Sequence, residues 1–317
     1  MDRIVIFIDS NLVFSRELLR AFLKEFQSRA DMAVAAVMET GTLYPGRMLK
    51  QGLIWLIDGL FNPGNHVPVP SSHASLKRLC RRYGIPVLVS AEDDFKQNGF
   101  YDFLKDDLKV NLAVSLGCLR IYPPALIKLF DMVVNYHNGL LPAYRGIAAT
   151  SWSVYYGENR TGFAFHRMTE GIDEGNILAS DSIPADPNVS IRKLENIKTR
   201  CALQHCGNVV DKMKHRDPGV PQMGTGNYFS LRDFLEIRRV GDPSRISWSE
   251  LQRKIHCFRM AILDINRKSL PVTSVSRQKG VPQSHFVTKD GVAFRVRRCF
   301  YLPYPLYWLA KKANLAP

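Results

Sequence analysis

The amino-acid sequence predicts an α/β protein: a doubly wound, mostly parallel sheet followed by a smaller C-terminal α+β domain. Three observations support this fold class. Apolar strand-like runs alternate with helical segments through about residue 135, 46% of the 317 residues are hydrophobic, and residues 219–228 have the composition of a linker. A chain of this length can form one large core and a second, smaller one. We therefore predict a catalytic domain over 1–218 and a basic substrate or dimerisation domain over 219–317.

The first elements establish the alternation. A β-branched run at 3–9 is typical of a buried strand, apolar residues recur at helical spacing over 12–26, and MAVAAV at 32–37 predicts the next strand. Strands that are apolar throughout are typical of a parallel sheet covered on both faces. The segment 41–72 is interrupted by prolines and glycines. Its apolar portion, 54–61, is predicted to be either a packed helix or a binding surface.

The alternation continues to the middle of the chain and beyond it. Helices are predicted over 72–83, 100–108, 123–130, 148–156 and 191–215, and strands over 85–90, 110–116, 132–136, 162–168 and 177–183. Near the end of the chain, a helix over 249–260 with Ser247 as its N-cap precedes a hairpin over 281–301 that turns at 289–291. Doubly wound sheets bind their ligands at the carboxyl ends of the strands, which places a site after residue 135.

The positive charge is concentrated in the last quarter of the chain. The net charge is +14, and residues 237–317 contain 16 lysines and arginines against 4 aspartates and glutamates. Such a surface attracts the phosphates of a nucleotide, a nucleic acid or an anionic membrane. The alternative is a solubilising basic surface that has no partner.

Neither a membrane span nor a disulfide framework is indicated. The best apolar run, 52–61, is too short for a bilayer and contains Asp58, and the amino terminus lacks the features of a signal peptide. We therefore expect a cytoplasmic protein. The six cysteines have none of the paired spacings of zinc or redox motifs, so we expect reduced thiols and no metal. One local group, Cys201, His205 and Cys206, lies within a predicted amphipathic helix.

The stretch NYHNGLLPAYRG, residues 135–146, suggests catalysis. Side chains two apart on a strand share a face, so Asn135 and His137 point the same way. An amide donor beside an imidazole suits a carbonyl that becomes tetrahedral, because both can stabilise an oxyanion or move a proton. A capping asparagine and a structural histidine are the alternative. The glycine-flanked loop EGIDEG can supply a carboxylate, and spacing does not choose among Glu170, Asp173 and Glu174.

NYHNGLLPAYRG followed by TGFAFHRMTEGIDEGNIL resembles the 10-formyltetrahydrofolate-dependent formyltransferases, which include methionyl-tRNA, glycinamide ribonucleotide and nucleotide-amino-sugar enzymes. The resemblance covers about 4–214. It implies a Rossmann-like catalytic domain, 10-formyltetrahydrofolate as formyl donor and no metal. It also implies that Asn135, His137 and Asp173 are catalytic, since Asp173 holds the Asp-x-Gly position.

The resemblance further implies a folate pocket. Its residues are expected at a strand end and in the acidic loop, at Ser115, Leu116, Gly117, Cys118, Leu119, Gly171 and Ile172. Arg145 is expected to reach an anionic substrate or the folate glutamate, with a surface ion pair as the alternative. His166, in a predicted strand beside the acidic loop, is expected to be structural.

Two departures from the tRNA enzymes bear on the acceptor. Asp9-Ser10-Asn11 replaces their glycine-threonine-proline loop, and the apolar region 48–61 replaces their basic insertion. The basic C-terminal quarter, by contrast, is similar to a tRNA-binding appendage. We expect the primary amine of a nucleotide-linked amino sugar as acceptor, with methionyl-tRNA as the alternative and a homodimer left open. Two further interpretations remain. One is a hydrolase that releases formate, and the other is a folate- or nucleotide-binding protein without turnover.

Overall fold

The structure is a computed structural model that describes residues 1–10, 12–40, 72–90, 93–118, 120–265, 268–278, 286–299 and 302–303. The apolar segment 54–61 and Leu119 lie outside the described residues. The described chain forms two compact units. The first contains residues up to Ser153 and Glu158–Tyr228, and the second contains Val154–Gly157 and the residues from Phe229 onward.

Strands and helices alternate through the first unit, as the sequence predicts. Up to Phe229 the strands are β1 (Asp2–Ile8), β2 (Met32–Glu39), β3 (Val87–Val89), β4 (Leu112–Leu116), β5 (Met132–His137), β6 (Arg145–Gly146), β7 (Arg160–Arg167), β8 (Ile177–Pro184) and β9 (Tyr228–Phe229). The α-helices over the same part are α1 (Val13–Gln27), α2 (Ser72–Arg81), α3 (Asn98–Asp102), α4 (Pro124–Ile127), α5 (Ala149–Tyr155), α6 (Ile191–Leu203) and α7 (Cys206–Lys214).

The main sheet is doubly wound and mostly parallel. Its order in the described chain is β3-β2-β1-β4-β5-β7-β8, with parallel pairing from β3 to β5 and antiparallel pairing of β7 and β8. The strand order reverses between β1 and β4, and in open α/β sheets ligands bind outside the carboxyl ends of strands near such a reversal. The predicted fold class is confirmed.

Both faces of this sheet are buried. Ile4, Ile6 and Ile8 on one face of β1 belong to one apolar cluster, whereas Val5 and Phe7 belong to the cluster on the other face. Burial of each such side chain contributes roughly 1.5–3 kcal/mol before the entropy of ordering the chain is counted. This two-sided burial is why β1 has no polar alternation.

Two predicted helices are not continuous. The helix predicted over 191–215 is two helices, because Gln204 and His205 make tighter contacts to Cys201 and Ala202, with N–H to carbonyl distances of 3.1 and 3.0 Å. The helix predicted over 100–108 becomes a π-helical turn at Phe103–Asp107. Periodicity does not distinguish these turns from an unbroken helix, since the apolar residues keep nearly the same spacing.

The second unit is α+β, as predicted. It contains α8 (Leu231–Glu236), β10 (Arg239–Gly241), α9 (Trp248–Phe258), β11 (Ala261–Ile265), β12 (Lys268–Arg277), β13 (Phe286–Val287), β14 (Ala293–Cys299) and β15 (Leu302–Pro303). Ser247 caps α9 by accepting a hydrogen bond from the Glu250 N–H at 3.2 Å. β13 and β14 form the predicted hairpin in register Phe286↔Phe294.

The segment 219–228 belongs to the first unit, so the units divide ten residues later than the predicted boundary at 218/219. Val220 pairs with Ile177, and Gln222 and Asn227 form hydrogen bonds with the loops that surround the end of β5. Linker-like composition therefore does not mean a free linker here, and the predicted domain roles stay predictions. Among the described residues, no helix is long and apolar enough to cross a membrane.

Candidate active site

The predicted catalytic pair lies on one strand, and the neighbouring strand adds a second histidine beside it. Asn135 and His137 lie on β5, and Asn135 is paired with Ser115 of β4 on one side and His166 of β7 on the other. The antiparallel β7 thus adds a second histidine at the level of Asn135. The side chains of Asn135, His137 and His166 each have a nitrogen within 3.4 Å of the Asp173 carboxylate.

Asp173 is the centre of the cluster. Its Oδ2 lies 3.3 Å from Nδ1 of His137, and its Oδ1 lies 3.3 Å from Nε2 of His166. Asn135 Nδ2 lies 3.4 Å from the same Oδ1 and 3.1 Å from Nε2 of His166. One carboxylate therefore contacts both histidines and the amide, which is the geometry that the sequence expectation requires of Asn135, His137 and Asp173.

The other two candidate carboxylates point elsewhere. Glu170 forms an ion pair with Lys128 at 2.9 Å, and Glu174 forms one with Arg145 at 3.2 Å. Both glutamates are more than half exposed, whereas the Asp173 side chain is 10% exposed. Exposed ion pairs of this kind contribute little to stability. Spacing left the choice among the three carboxylates open, and the structure brings Asp173 alone of these three to Asn135 and His137.

The Asp173 loop is held by hydrogen bonds and a close backbone approach. Gly146 donates its N–H to Asp173 Oδ2 at 2.8 Å, and Gln222 donates to the carbonyls of Asp173 and Gly175 at 2.7 and 2.8 Å. A Cβ at position 175 would lie 1.8 Å from the Arg167 carbonyl oxygen, so only glycine fits there. The glycine of the Asp-x-Gly pattern thus brings Asp173 against the end of β7.

Burial and charge set the protonation of the pair. Burial opposes ionisation of Asp173, but the positive charge of a protonated imidazole, the hydrogen bond with His166 and the Gly146 N–H outweigh it and hold the pKa of Asp173 well below its usual range. Burial lowers the pKa of His137, and the Asp173 carboxylate opposes that shift without cancelling it. His137 is 6% exposed. The site therefore combines a stable carboxylate with an imidazole that is neutral over more of the pH range than usual.

Hydrogen bonds fix the proton on each ring. His137 Nε2 lies 2.8 Å from the Tyr144 carbonyl and His166 Nδ1 lies 2.8 Å from the Arg167 carbonyl. Because a carbonyl oxygen only accepts, both nitrogens carry hydrogen. Nδ1 of His137 is then the atom that can gain or lose a proton, and it faces Asp173. This pairing is suited to proton transfer.

His166 lies in the cluster around Asp173, whereas the sequence analysis expected it to have only a structural role. It is 1% exposed and contacts both Asn135 and Asp173. Its position follows from the pairing register of β5 with β7, which cannot be read from one sequence. One local signal was present, because His166 directly follows the apolar run GFAF at 162–165.

Lys198 is a second buried polar residue that the sequence interpretation missed. Its side chain lies on α6, is 0% exposed, and donates from Nζ to the Asn138 carbonyl at 2.8 Å, Thr150 Oγ1 at 2.6 Å and the Gly162 carbonyl at 3.1 Å. Burial lowers its pKa to about 7. Lys198 thus connects the chain directly after His137 to α5 and β7.

The residues expected to form the folate pocket lie at two places. Ser115 and Leu116 are buried at the end of β4, next to β5, and Gly117 follows with a φ of 73°. A Cβ on Gly117 would lie 2.6 Å from Ser15 Oγ, so a side chain has no room there. Cys118 comes next, Leu119 lies outside the described residues, and Gly171 and Ile172 lie in the loop directly before Asp173.

Arg145 takes part in a polar network on the same loops. Besides its ion pair with Glu174, it donates to Gln222 Oε1 at 2.9 Å. The ion-pair alternative is therefore what the structure shows for this arginine. A substrate role for Arg145 stays a prediction, since it requires a ligand to compete with Glu174.

Comparisons with known proteins identify the family. A family model described as Formyl transferase matches residues 60–204. A GDP-perosamine N-formyltransferase of Brucella melitensis is 32% identical over 195 residues, which cover 58% of this chain and 73% of that protein. The chain belongs to the formyl transferase family. It is a formyltransferase, and the expected family is confirmed.

Other relatives of this formyltransferase are more distant. A methionyl-tRNA formyltransferase of Porphyromonas gingivalis is 24% identical over 235 residues, covering 74% of this chain and 69% of that protein. Among solved structures, a sugar N-formyltransferase from Shewanella sp. matches with a TM-score of 0.61 at 16% identity, over 86% of this chain and 97% of that one. An N-formyltransferase from Helicobacter canadensis, in complex with folinic acid and dTDP-3-aminofucose, matches with a TM-score of 0.57 at 16% identity, over 95% and 100%. At such identities the structures support the fold of this formyltransferase.

Proposed function

We propose that this formyltransferase moves the formyl group of 10-formyltetrahydrofolate to the primary amine of a nucleotide-linked amino sugar. The observation that carries the proposal is the contact of Asp173 with His137, His166 and Asn135 at the carboxyl end of β5. An amide donor, an imidazole and a carboxylate in contact are the groups that acyl transfer to an amine needs.

Asn135 is proposed to stabilise the oxyanion. Its Nδ2 carries two hydrogens, directed at His166 Nε2 at 3.1 Å and at Asp173 Oδ1 at 3.4 Å. The longer bond is the weaker one and can be exchanged for the formyl oxygen when the amine adds to the formyl carbon. The shorter bond to His166 then keeps the amide plane in position while the carbonyl becomes tetrahedral.

His137 and Asp173 are proposed to move the proton. The Nε2–H of His137 is bound to the Tyr144 carbonyl, so the ring works through Nδ1, 3.3 Å from Asp173 Oδ2. The attacking amine loses a proton as its nitrogen bonds to the formyl carbon, and the folate nitrogen takes one up as its bond to that carbon breaks. A neutral imidazole beside a carboxylate can accept the first proton and deliver the second.

The folate ring is proposed to bind beyond the end of β4. Gly117 turns the chain away from β4 with a φ of 73°, and the buried Leu116 precedes it at the strand end. The backbone N–H and carbonyl groups beyond a strand end are free to bind the edge of a heterocycle. Ser115, Leu116, Gly117, Cys118, Leu119, Gly171 and Ile172 are proposed to form this pocket. Folinic acid in the Helicobacter canadensis relative supports a folate donor.

The sugar-nucleotide acceptor rests on relatives and on charge. The Brucella melitensis relative is named for GDP-perosamine, and the Helicobacter canadensis structure contains dTDP-3-aminofucose. The surplus of lysine and arginine after residue 236 suits a diphosphate. Methionyl-tRNA is the second candidate, because a relative named for that activity covers 74% of this chain.

The test is turnover of 10-formyltetrahydrofolate, measured by absorbance with amine acceptors. The panel contains GDP- and dTDP-linked amino sugars, charged initiator methionyl-tRNA and a reaction without amine. We expect formylated product with a sugar nucleotide, identified by mass spectrometry, and none with tRNA. Product with tRNA alone, formate release without an amine, or folate binding without turnover on any acceptor would each contradict the proposal.

A further inference from the structure

A second cluster of polar side chains lies away from the active site. Asp181 is on β8, Cys201 is in the last turns of α6, and His205 follows the end of that helix. Cys201 Sγ lies 3.2 Å from Asp181 Oδ2, and His205 Nε2 lies 3.6 Å from the same oxygen. The three atoms are all within 4.8 Å of one another. They come from the residue types that bind zinc in proteins.

The separations agree with a single tetrahedral ion. With typical zinc bonds of about 2.3 Å to sulfur and about 2.1 Å to nitrogen and oxygen, neighbouring ligand atoms lie roughly 3.4–3.6 Å apart. The observed contacts of 3.2 and 3.6 Å fall on either side of this spacing. These two separations need to change by only a few tenths of an ångström, whereas the third, between Cys201 Sγ and His205 Nε2, is at most 4.8 Å and closes by rotation of the side chains as the ion binds.

The ligands are held by ordered elements. Cys201 lies in the last turns of α6, and a tight turn follows in which the Gln204 N–H donates to the Cys201 carbonyl at 3.1 Å and the His205 N–H to the Ala202 carbonyl at 3.0 Å. The His205 ring packs edge-on against Phe163 at 5.5 Å between centroids. Asp181 Oδ1 accepts a hydrogen bond from the Ser182 N–H at 2.7 Å, which leaves Oδ2 directed at the other two side chains. Such support is what orients the ligands of metal sites.

We propose that Asp181, Cys201 and His205 form a binding site for a zinc-class divalent metal ion, with water as the fourth ligand. One thiolate and one carboxylate balance the charge of the ion, while the imidazole binds as a neutral ligand. Thiolate and imidazole ligands favour zinc and its relatives over magnesium and calcium. The ion joins β8 to the end of α6, and the site is independent of the formyl-transfer proposal.

Binding displaces the thiol proton. Without metal, burial and the Asp181 carboxylate raise the pKa of Cys201 to about 11, so the thiol donates its proton to Asp181. The ion replaces this proton, which passes to solvent. The Asp181 and His205 side chains are 47% and 27% exposed, so an ion can enter from solvent.

The test titrates the whole reduced, metal-free chain with Co²⁺, which reports a bound thiolate by a near-ultraviolet charge-transfer band, and with Zn²⁺ by calorimetry in two buffers. We expect one ion per chain, release of one proton, displacement of Co²⁺ by Zn²⁺, and no competition from Mg²⁺. Cys201→Ser is expected to abolish the band, and His205→Ala to weaken binding by tenfold or more. Cys206→Ala and His215→Ala are the matched controls, because neither residue belongs to the cluster.

A band that survives Cys201→Ser, or stoichiometric binding that is lost equally in the two controls, would overturn the site, as would a wild-type chain that binds no Co²⁺. Zn²⁺ is also expected to raise the unfolding midpoint of the wild type but not of Asp181→Asn, since an ion that binds only the folded chain stabilises it. Formyl transfer is not used as a readout. The metal site and the proposed function can therefore fail separately.

Discussion

Two aspartates of this formyltransferase have similar contacts and different surroundings. Asp173 accepts a backbone hydrogen bond from Gly146 and lies 3.3 Å from a histidine nitrogen, and Asp181 accepts one from Ser182 and lies 3.6 Å from a histidine nitrogen. Their side chains are 10% and 47% exposed. Charges interact far more strongly away from water, so contact lists alone do not distinguish a catalytic carboxylate from a surface one.

The largest expected difference between Asp173 and Asp181 is in the effect of their substitution on activity. We expect Asp173→Asn to lower kcat by roughly 10²–10⁴-fold, because the amide cannot take part in proton transfer through His137. The measurement is steady-state folate turnover with the sugar nucleotide that the acceptor panel selects. Asp181→Asn is the matched control and should retain the wild-type kcat, since Asp181 contacts none of the active-site residues. A Asp173→Asn enzyme within threefold of the wild type would contradict the assignment.

Loss of the amide should have a somewhat smaller effect. Removing one oxyanion donor costs about 10²–10³-fold in kcat, and we expect Asn135→Ala to fall in that range with little change in KM. The chain should remain folded, because within the described part of the chain the hydrogen bonds of Asn135 Nδ2 go to His166 and Asp173. Asn188→Ala, an exposed asparagine bonded to Asp186, is the control. A large KM effect at unchanged kcat would show that Asn135 binds substrate rather than the transition state.

The sequence alone predicted much of the fold around Asn135 and Asp173. Apolar runs predicted β1, β2, β4 and β5 to within a few residues, because strands buried on both faces leave an unambiguous pattern. The motif placed Asn135 and His137 on one face, which pairing with β7 confirms. The carboxylate was selected by family resemblance, and spacing alone left three candidates.

What the sequence did not predict depends on contacts between distant segments. His166 reaches the site through strand register, and Lys198 reaches the loop after His137 from a helix 60 residues later. A lysine on a predicted amphipathic helix is ordinarily exposed, and nothing local marks this one as buried. Likewise, residues 219–228 have the composition of a linker and yet are fixed by hydrogen bonds made to the active-site loops.

Burial also shifts the pKa of a basic residue, Lys198. Its pKa is lowered from 10.5 to about 7, so between these values the unfolded chain binds a proton that the folded chain does not. The unfolding free energy should therefore rise with pH across this window, by about 1.4 kcal/mol per pH unit for one full proton. We expect Lys198→Met to lose this slope in urea titrations between pH 7 and 9.

The matched control for that slope is Lys193→Met, which removes an exposed lysine of the same helix. It should keep the wild-type pH dependence, because other groups titrate equally in both chains. Equal slopes in Lys198→Met and the wild type would show that Lys198 stays protonated when buried. In that case the Lys198 ammonium donates a hydrogen bond to Thr150 Oγ1 over the tested pH range. If Lys198 is neutral, its amine nitrogen can instead accept a hydrogen bond from the Thr150 hydroxyl.

The smallest effect is expected at the exposed aspartate. In chelator-treated protein, Asp181→Asn should change the free energy of unfolding by less than about 1 kcal/mol, because an ion pair open to water gains little over two solvated groups. The asparagine also keeps an oxygen that can accept from the Ser182 N–H. Urea unfolding at neutral pH measures this difference. A loss of several kcal/mol would mean that Asp181 behaves like a buried carboxylate. The difference in exposure would then not explain why Asp173 and Asp181, with similar contacts, have different roles.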